Sequence, residues 1–150
     1  MIKTSYDELN SQLKSIILDV PYTMTNLANA SALLFEKIPN INWAGFYTIK
    51  DNKLVLGPFQ GKIACTIIPI GKGVCGTAAA TDRTQVVPDV HKFPGHIACD
   101  SASKSEIVIP IHRNGKVFGV MDIDSPMLNR FTEDDKIGLE DFASTLEASL

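Results

Sequence analysis

The sequence predicts an α+β domain, α/β in the broad sense, with a mostly antiparallel central sheet bracketed by N- and C-terminal helices. Three observations carry this. Apolar residues recur at helical spacing from Leu9 to Ile38 and again after Thr132. Between those stretches the chain breaks into short apolar runs separated by turn residues. Two of the runs flank Asn114-Gly115, the strongest short hairpin signal a sequence offers.

The elements follow in order. Ser5 with Glu8 three residues on is a capping-box pattern, and Leu9, Leu13, Ile16, Ile17 and Val20 form an apolar stripe that Pro21 stops. Met24, Leu27, Ala28, Leu34, Phe35 and Ile38 make a second stripe ending before Pro39. Strands are expected over Trp43 to Ile49 and Lys53 to Gln60 around the Asp51-Asn52 turn, and a third over Ala64 to Ile70. Gly71-Lys72-Gly73 breaks that strand and opens a short helix over Val74 to Ala80, beginning near Cys75. Thr84 to Val87 reads as a short strand, and Pro88 to Ser103 as a long loop of the kind that usually carries function. Ser105 to His112 and Lys116 to Asp124 form the Asn-Gly hairpin. Thr132, followed by Glu133, Asp134 and Asp135, caps a last helix bearing Ile137, Phe142 and Leu146.

Bulk properties narrow the function. A chain of 150 residues suits one domain, 1–150, which buries roughly 70% of its unfolded surface without staples. At 45% hydrophobic and 21% charged it lies far from disorder. A net charge of -3 gives no basic footprint, so nucleic acid is not expected as a partner. No apolar run reaches the length of about eighteen residues that a membrane span needs, and the N-terminus lacks the pattern of a secretory signal. Three cysteines are an odd count, which argues for reduced thiols in the cytoplasm and against a secreted disulfide framework.

Cys65, Cys75 and Cys99 all flank turns or loops. A free cysteine is commonly a small buried hydrophobe, and reactivity needs access and a lowered pKa. Cys99 lies near His91 and His96, whose imidazolium forms would favour a thiolate; Cys75 sits at a helix start, whose unpaired amides would do the same. The residues alone therefore leave two candidate nucleophiles. There is no Cys-x-x-Cys pair, and His91 and His96 sit in a loop with proline and glycine, so no metal site is expected. Gly71-Lys72-Gly73-Val74-Cys75-Gly76 fits neither a phosphate loop nor a dinucleotide fingerprint.

Asp122 and Asp124 share one strand face, which marks either the solvent end of the sheet or a site. An ideal two-residue Asn-Gly turn sets Ile107 opposite Asp122, Ile109 opposite Val120 and Ile111 opposite Phe118, which favours a pocket at one end of the core. Trp43 and Tyr47 also share a face, as an aromatic wall or as plain core.

Together, Asn42-Trp43-Ala44-Gly45-Phe46-Tyr47, Gly57-Pro58-Phe59-Gln60-Gly61, Gly73-Val74-Cys75-Gly76-Thr77, the Val87-to-Ser103 loop, Ser105-Glu106-Ile107-Val108 and Gly119-to-Pro126 resemble the free methionine-(R)-sulfoxide reductases, stand-alone GAF domains. The resemblance implies a homodimer and a thiol-based reduction of free methionine-(R)-sulfoxide with no bound cofactor. Cys99 would attack the sulfoxide sulfur while a protonated carboxyl group assists departure of the oxygen, and Cys65 would resolve the sulfenic acid, with Cys75 as an alternative thiol. Thioredoxin, with NADPH and thioredoxin reductase, would recycle the disulfide. Trp43 and Tyr47 would face the substrate methyl group, with Glu106, Asp122 and Asp124 around the sulfoxide and ammonium.

The ideal hairpin register sets Glu106 opposite Ile123, on the face away from both aspartates, so a bulge or twisted strand entry near Glu106 is expected; Pro110 marks an edge or a bulge that would shift the parity. A disulfide between Cys65 and Cys99 needs Cα atoms within roughly 7 Å, so reduced and oxidised forms should differ around Pro94 to Cys99. A ligand-sensing module or a redox switch without turnover are the alternatives.

Overall fold

In a computed structural model, residues 4–96 and 102–150 are described. Two helices open the chain, α1 (Tyr6–Ile17) and α2 (Thr23–Lys37). Ser5 caps α1 through its side chain, which accepts from the Glu8 amide. The hairpin β1 (Trp43–Lys50) and β2 (Lys53–Gly61) turns at Asp51 and Asn52, both in the left-handed region that Asp and Asn tolerate. Then come β3 (Ile67–Pro69), α3 (Gly73–Thr81), β4 (Gln85–Val87), the hairpin β5 (Ser105–Arg113) and β6 (Lys116–Ser125), and α4 (Glu133–Glu147).

The six strands form one sheet in the order β3-β2-β1-β6-β5-β4, with every neighbouring pair antiparallel. The expected antiparallel sheet between terminal helices is therefore found. No helix of the described residues is long and apolar enough to cross a membrane.

Alternation along the strands separates two cores. Ala44, Phe46, Ile107, Ile109, Ile111, Met121 and Ile123 point to one face, where α1, α2 and α4 cover them with Leu13, Leu34, Leu139 and Phe142. Trp43, Tyr47, Val108 and Val120 point to the other, against Val74, Cys75 and Ala78 of α3. On the helical side Asp135 completes a capping box with Thr132, accepts from Tyr6 Oη at 2.6 Å and pairs with Arg130 at 3.1 Å, tying α1 to the start of α4.

Three expectations need correction. The third strand is short: residues 62–65 run free of the ladder and β3 covers Ile67–Pro69 alone, so Cys65 lies in a connecting segment and not in a strand. In that segment the Lys62 and Cys65 carbonyls accept from the Trp43 and Tyr47 side chains in place of ladder partners. The loop after β4 is not wholly irregular, because Asp89 accepts from the His91 amide and caps a single 3-10 turn, Val90–Lys92. The third correction concerns register. Ile107 pairs with Ile123, Ile109 with Met121 and Ile111 with Gly119, one residue away from the ideal hairpin, because the ladder shifts between Ile111 and His112 and leaves Phe118 unpaired.

Candidate active site

That bulge decides the site. It pairs Glu106 with Asp124 and Val108 with Asp122, so all three carboxyl side chains share the face that carries Trp43 and Tyr47. The expected change of parity occurs, but beside Pro110 on the far side from Glu106, not at Glu106 itself. The aspartates consequently share their face with Val108 and Val120, and not with Ile107, Ile109 and Ile111.

The same face receives Cys75 from α3. Gly73 turns into the helix with φ +64°, a conformation glycine adopts freely. Gly76 lets the helix approach β3 so closely that a Cβ there would stand 2.5 Å from the Pro69 carbonyl oxygen. Cys75 Sγ then lies 4.0 Å from Glu106 Oε2. Sulfur and carboxylate oxygens of Cys75, Glu106 and Asp122 all fall within 4.8 Å of one another, a spacing that could hold a divalent ion.

Burial dominates the electrostatics. Glu106 is pushed well above the usual carboxyl range, first by loss of water and then by the charges of Asp122 and Asp124. Asp122 is raised by burial although hydrogen bonds from Glu106, Cys75 and Asp124 work the other way. Burial and mutual repulsion thus favour the protonated carboxyl form in this cluster. Asp122 is 5% exposed, and its Oδ1 is buried without a hydrogen-bond partner.

Cys75 does not behave as its helix position promises. Burial, then the charges of Asp122, Glu106 and Asp124, raise its thiol pKa, because a partial dipole charge cannot offset full desolvation beside carboxylates. It is the free, buried cysteine among the described residues, whereas Cys65 is disulfide-bonded. Cys99 lies outside the described residues. The expected imidazolium at His96 is also corrected: partial burial, then the neighbouring His91, lower its pKa and favour the neutral ring.

Trp43 and Tyr47 form a wall beside the carboxyl groups on the same sheet face. Their rings stack with centroids 6.0 Å apart, and Phe59 stacks on Trp43 at 5.1 Å. Both also donate outward to the 62–66 segment: Trp43 Nε1 to the Lys62 carbonyl at 3.1 Å and Tyr47 Oη to the Cys65 carbonyl at 2.9 Å. Between this wall, the carboxyl cluster and the start of α3 lies a cavity of about 50 Å³, reached also by Lys72, His96 and Ser103.

Residues 12–150 match the GAF domain model. The chain is 51% identical to the free methionine-R-sulfoxide reductase of Escherichia coli over 145 residues, 97% of this chain and 88% of that protein. It is 54% identical to the enzyme of the same name from Saccharomyces cerevisiae over 132 residues, covering 83% and 73% respectively. The chain belongs to the free methionine-R-sulfoxide reductase family. The fRMsr of Staphylococcus aureus in complex with substrate superposes with a TM-score of 0.96 at 51% identity, covering all of this chain and 98% of that one.

Within this family frame the structure brings together Trp43, Tyr47, Glu106, Asp122 and Asp124, all predicted, with Cys75 among them and Cys65 held at its carbonyl by Tyr47. Sequence reasoning missed Phe59 as a support for Trp43, and Asn42, whose Nδ2 donates to Ser103 Oγ at 3.2 Å and so ties the end of the long loop to β1. Both stand inside the motifs that carried the resemblance, which was the available signal. Neither has a reactive group to single it out.

Proposed function

We propose that this chain reduces free methionine-(R)-sulfoxide to methionine with no bound cofactor, through a sulfenic acid on Cys99 and a disulfide with Cys65 that thioredoxin reopens. The observation that carries this reading is the cluster of buried Glu106 and Asp122 with partly buried Asp124, beside an aromatic wall whose Tyr47 holds the carbonyl of the disulfide-bonded Cys65.

The Cys99 thiolate attacks the sulfoxide sulfur, which is reduced as the sulfur–oxygen bond breaks. Glu106, held protonated by its surroundings, supplies the proton that the departing oxygen needs, and methionine leaves while Cys99 becomes a sulfenic acid. The Cys65 thiol then displaces water to form the disulfide. Two electrons from thioredoxin, renewed by NADPH through thioredoxin reductase, restore both thiols. The orphaned Asp122 oxygen, together with Asp124, accepts the substrate ammonium, and Trp43 with Tyr47 receives the methyl end. The expected difference between reduced and oxidised forms around Pro94 to Cys99 falls partly on residues outside those described. The rest of the reading is a cytoplasmic homodimer of single 1–150 domains, with no nucleic acid and no membrane as partner.

The test follows NADPH consumption with thioredoxin and thioredoxin reductase on free methionine-(R)-sulfoxide, the (S) epimer and a peptide-bound sulfoxide. Turnover on the free (R) form alone is expected. No turnover with intact thiols and verified coupling enzymes would transfer the cavity to a sensing module or a redox switch.

A further inference from the structure

Three of the exposed large apolar side chains lie within one stretch of eight residues around the disulfide: Ile63 is 91% exposed, Ile67 56% and Ile70 36%. Scattered exposed apolar residues are ordinary, but here the exposure is built in. Trp43 and Tyr47 grip the backbone of 62–66 at the Lys62 and Cys65 carbonyls, and the Leu56 amide holds the Thr66 carbonyl at 2.9 Å. Ile63 is thus carried on a fastened segment two residues from Cys65. Lys62 and Lys72, both exposed, stand at either end of the stretch, and no acidic residue occurs from Gly61 to Thr81.

We propose that Ile63 and Ile67, with Lys62 and Lys72 at the margins, form the docking face for a dithiol carrier protein of the thioredoxin class, one with an apolar rim around its thiols and acidic surroundings. The inference rests on the proposed thiol cycle and names the surface that serves it. Only a partner that brings a thiolate to this spot has chemistry to perform there, which decides among possible occupants. The carrier thiolate attacks Cys65 Sγ, the protein disulfide breaks and releases the other sulfur as a thiolate. The second carrier thiol then displaces Cys65, leaving the carrier oxidised by two electrons and both protein thiols reduced. Apolar contacts and opposite charge hold the encounter in line.

The experiment measures reduction of the full-length disulfide form by thioredoxin and, separately, by dithiothreitol, following the appearance of free thiols in the native protein, Ile63→Asp, Ile67→Asp and the remote Ile137→Asp. The second-order rate constant with thioredoxin should fall at least about tenfold in Ile63→Asp and Ile67→Asp, as for side chains central to an interface. Dithiothreitol should reduce Ile67→Asp and Ile137→Asp at the native rate. Unchanged thioredoxin rates in both isoleucine variants, or equal slowing with the two reductants, would overturn the proposal. No sulfoxide enters this measurement, so loss of the reductase reading and loss of the docking face are separate results.

Discussion

Glu106 stands directly opposite Asp124 across the β5–β6 ladder, and it does so only because Phe118 is left unpaired beside the Asn-Gly turn. A regular hairpin would pair Glu106 with Ile123 and turn its carboxyl to the helical core face. The bulge thus sets three carboxyl groups on one face at the end of two strands, and burial, then the charges of Asp122 and Asp124, push the Glu106 pKa up.

Glu106→Gln retains shape and hydrogen bonding but has no proton to give. Single-turnover release of methionine should slow by about 10²- to 10⁴-fold, the usual range for loss of a positioned acid, while substrate affinity changes less. An unchanged rate would remove Glu106 from the proton transfer.

Tyr47→Phe frees the Cys65 carbonyl and leaves the ring stack in place. A lost hydrogen bond of about 0.5–1.5 kcal/mol should slow disulfide closure several-fold, with the sulfenic acid lasting longer after methionine release. Trapping the sulfenic acid with a dimedone-type reagent reads this directly; equal lifetimes in both proteins would show that the bond does not position Cys65.

Cys75→Ser should keep disulfide formation and turnover close to the native level, because a buried thiol with a raised pKa is a poor nucleophile. Cys99→Ser should abolish methionine release. If instead Cys75→Ser abolished it and Cys99→Ser did not, the roles of these two thiols would be exchanged.

His112 joins the end of α3 to the end of α4, its Nε2 and Nδ1 each 2.6 Å from Asp82 Oδ1 and Glu147 Oε2. Partial burial opposes its charge, but the hydrogen bonds that the ring donates to Asp82 and Glu147 outweigh this and raise the pKa. A raised folded-state value means that the contribution is complete below the unfolded pKa of about 6.5 and fades as pH rises through the folded one. The melting temperature of His112→Gln should therefore fall below native at pH 6, with the gap narrowing by pH 9. A gap independent of pH would mean that the imidazolium contributes nothing.

Asp135→Ala strips the buried Arg130 of its charge partner, Tyr6 of its acceptor and α4 of half its capping box. Leaving one member of a buried pair behind costs about 3–5 kcal/mol, so the urea midpoint should drop steeply. A loss under about 1 kcal/mol would place the Arg130 pair among the weak surface kind.

Local chemistry was legible in the sequence. The capping residues Ser5 and Thr132, the Asp51-Asn52 and Asn114-Gly115 turns and the alternation that pairs Trp43 with Tyr47 all act over a few residues, and each appears in the structure. The helical stripes hold only in part, because Leu27 and Leu34 are buried while Met24, Ala28, Phe35 and Ile137 are exposed and Ala30, Ser31 and Leu33 complete the inner face of α2. The motifs containing Glu106, Asp122, Asp124 and the cysteines were legible too, as a family resemblance. Tertiary structure alone decided how these residues meet. The bulge at Phe118 fixes which way Glu106 points, and nothing near Asn114-Gly115 announces an unpaired residue, because the register is chosen by the fit of two whole strands to the cores on either side. The burial of Cys75 among carboxyl groups reverses what its helix position implies, since desolvation depends on neighbours from β5 and β6 that are distant in the chain. The hold of Trp43 and Tyr47 on the 62–66 backbone likewise needs β1 and that segment in place at once, and it accompanies the place of Cys65 outside the ladder and the exposure of Ile63.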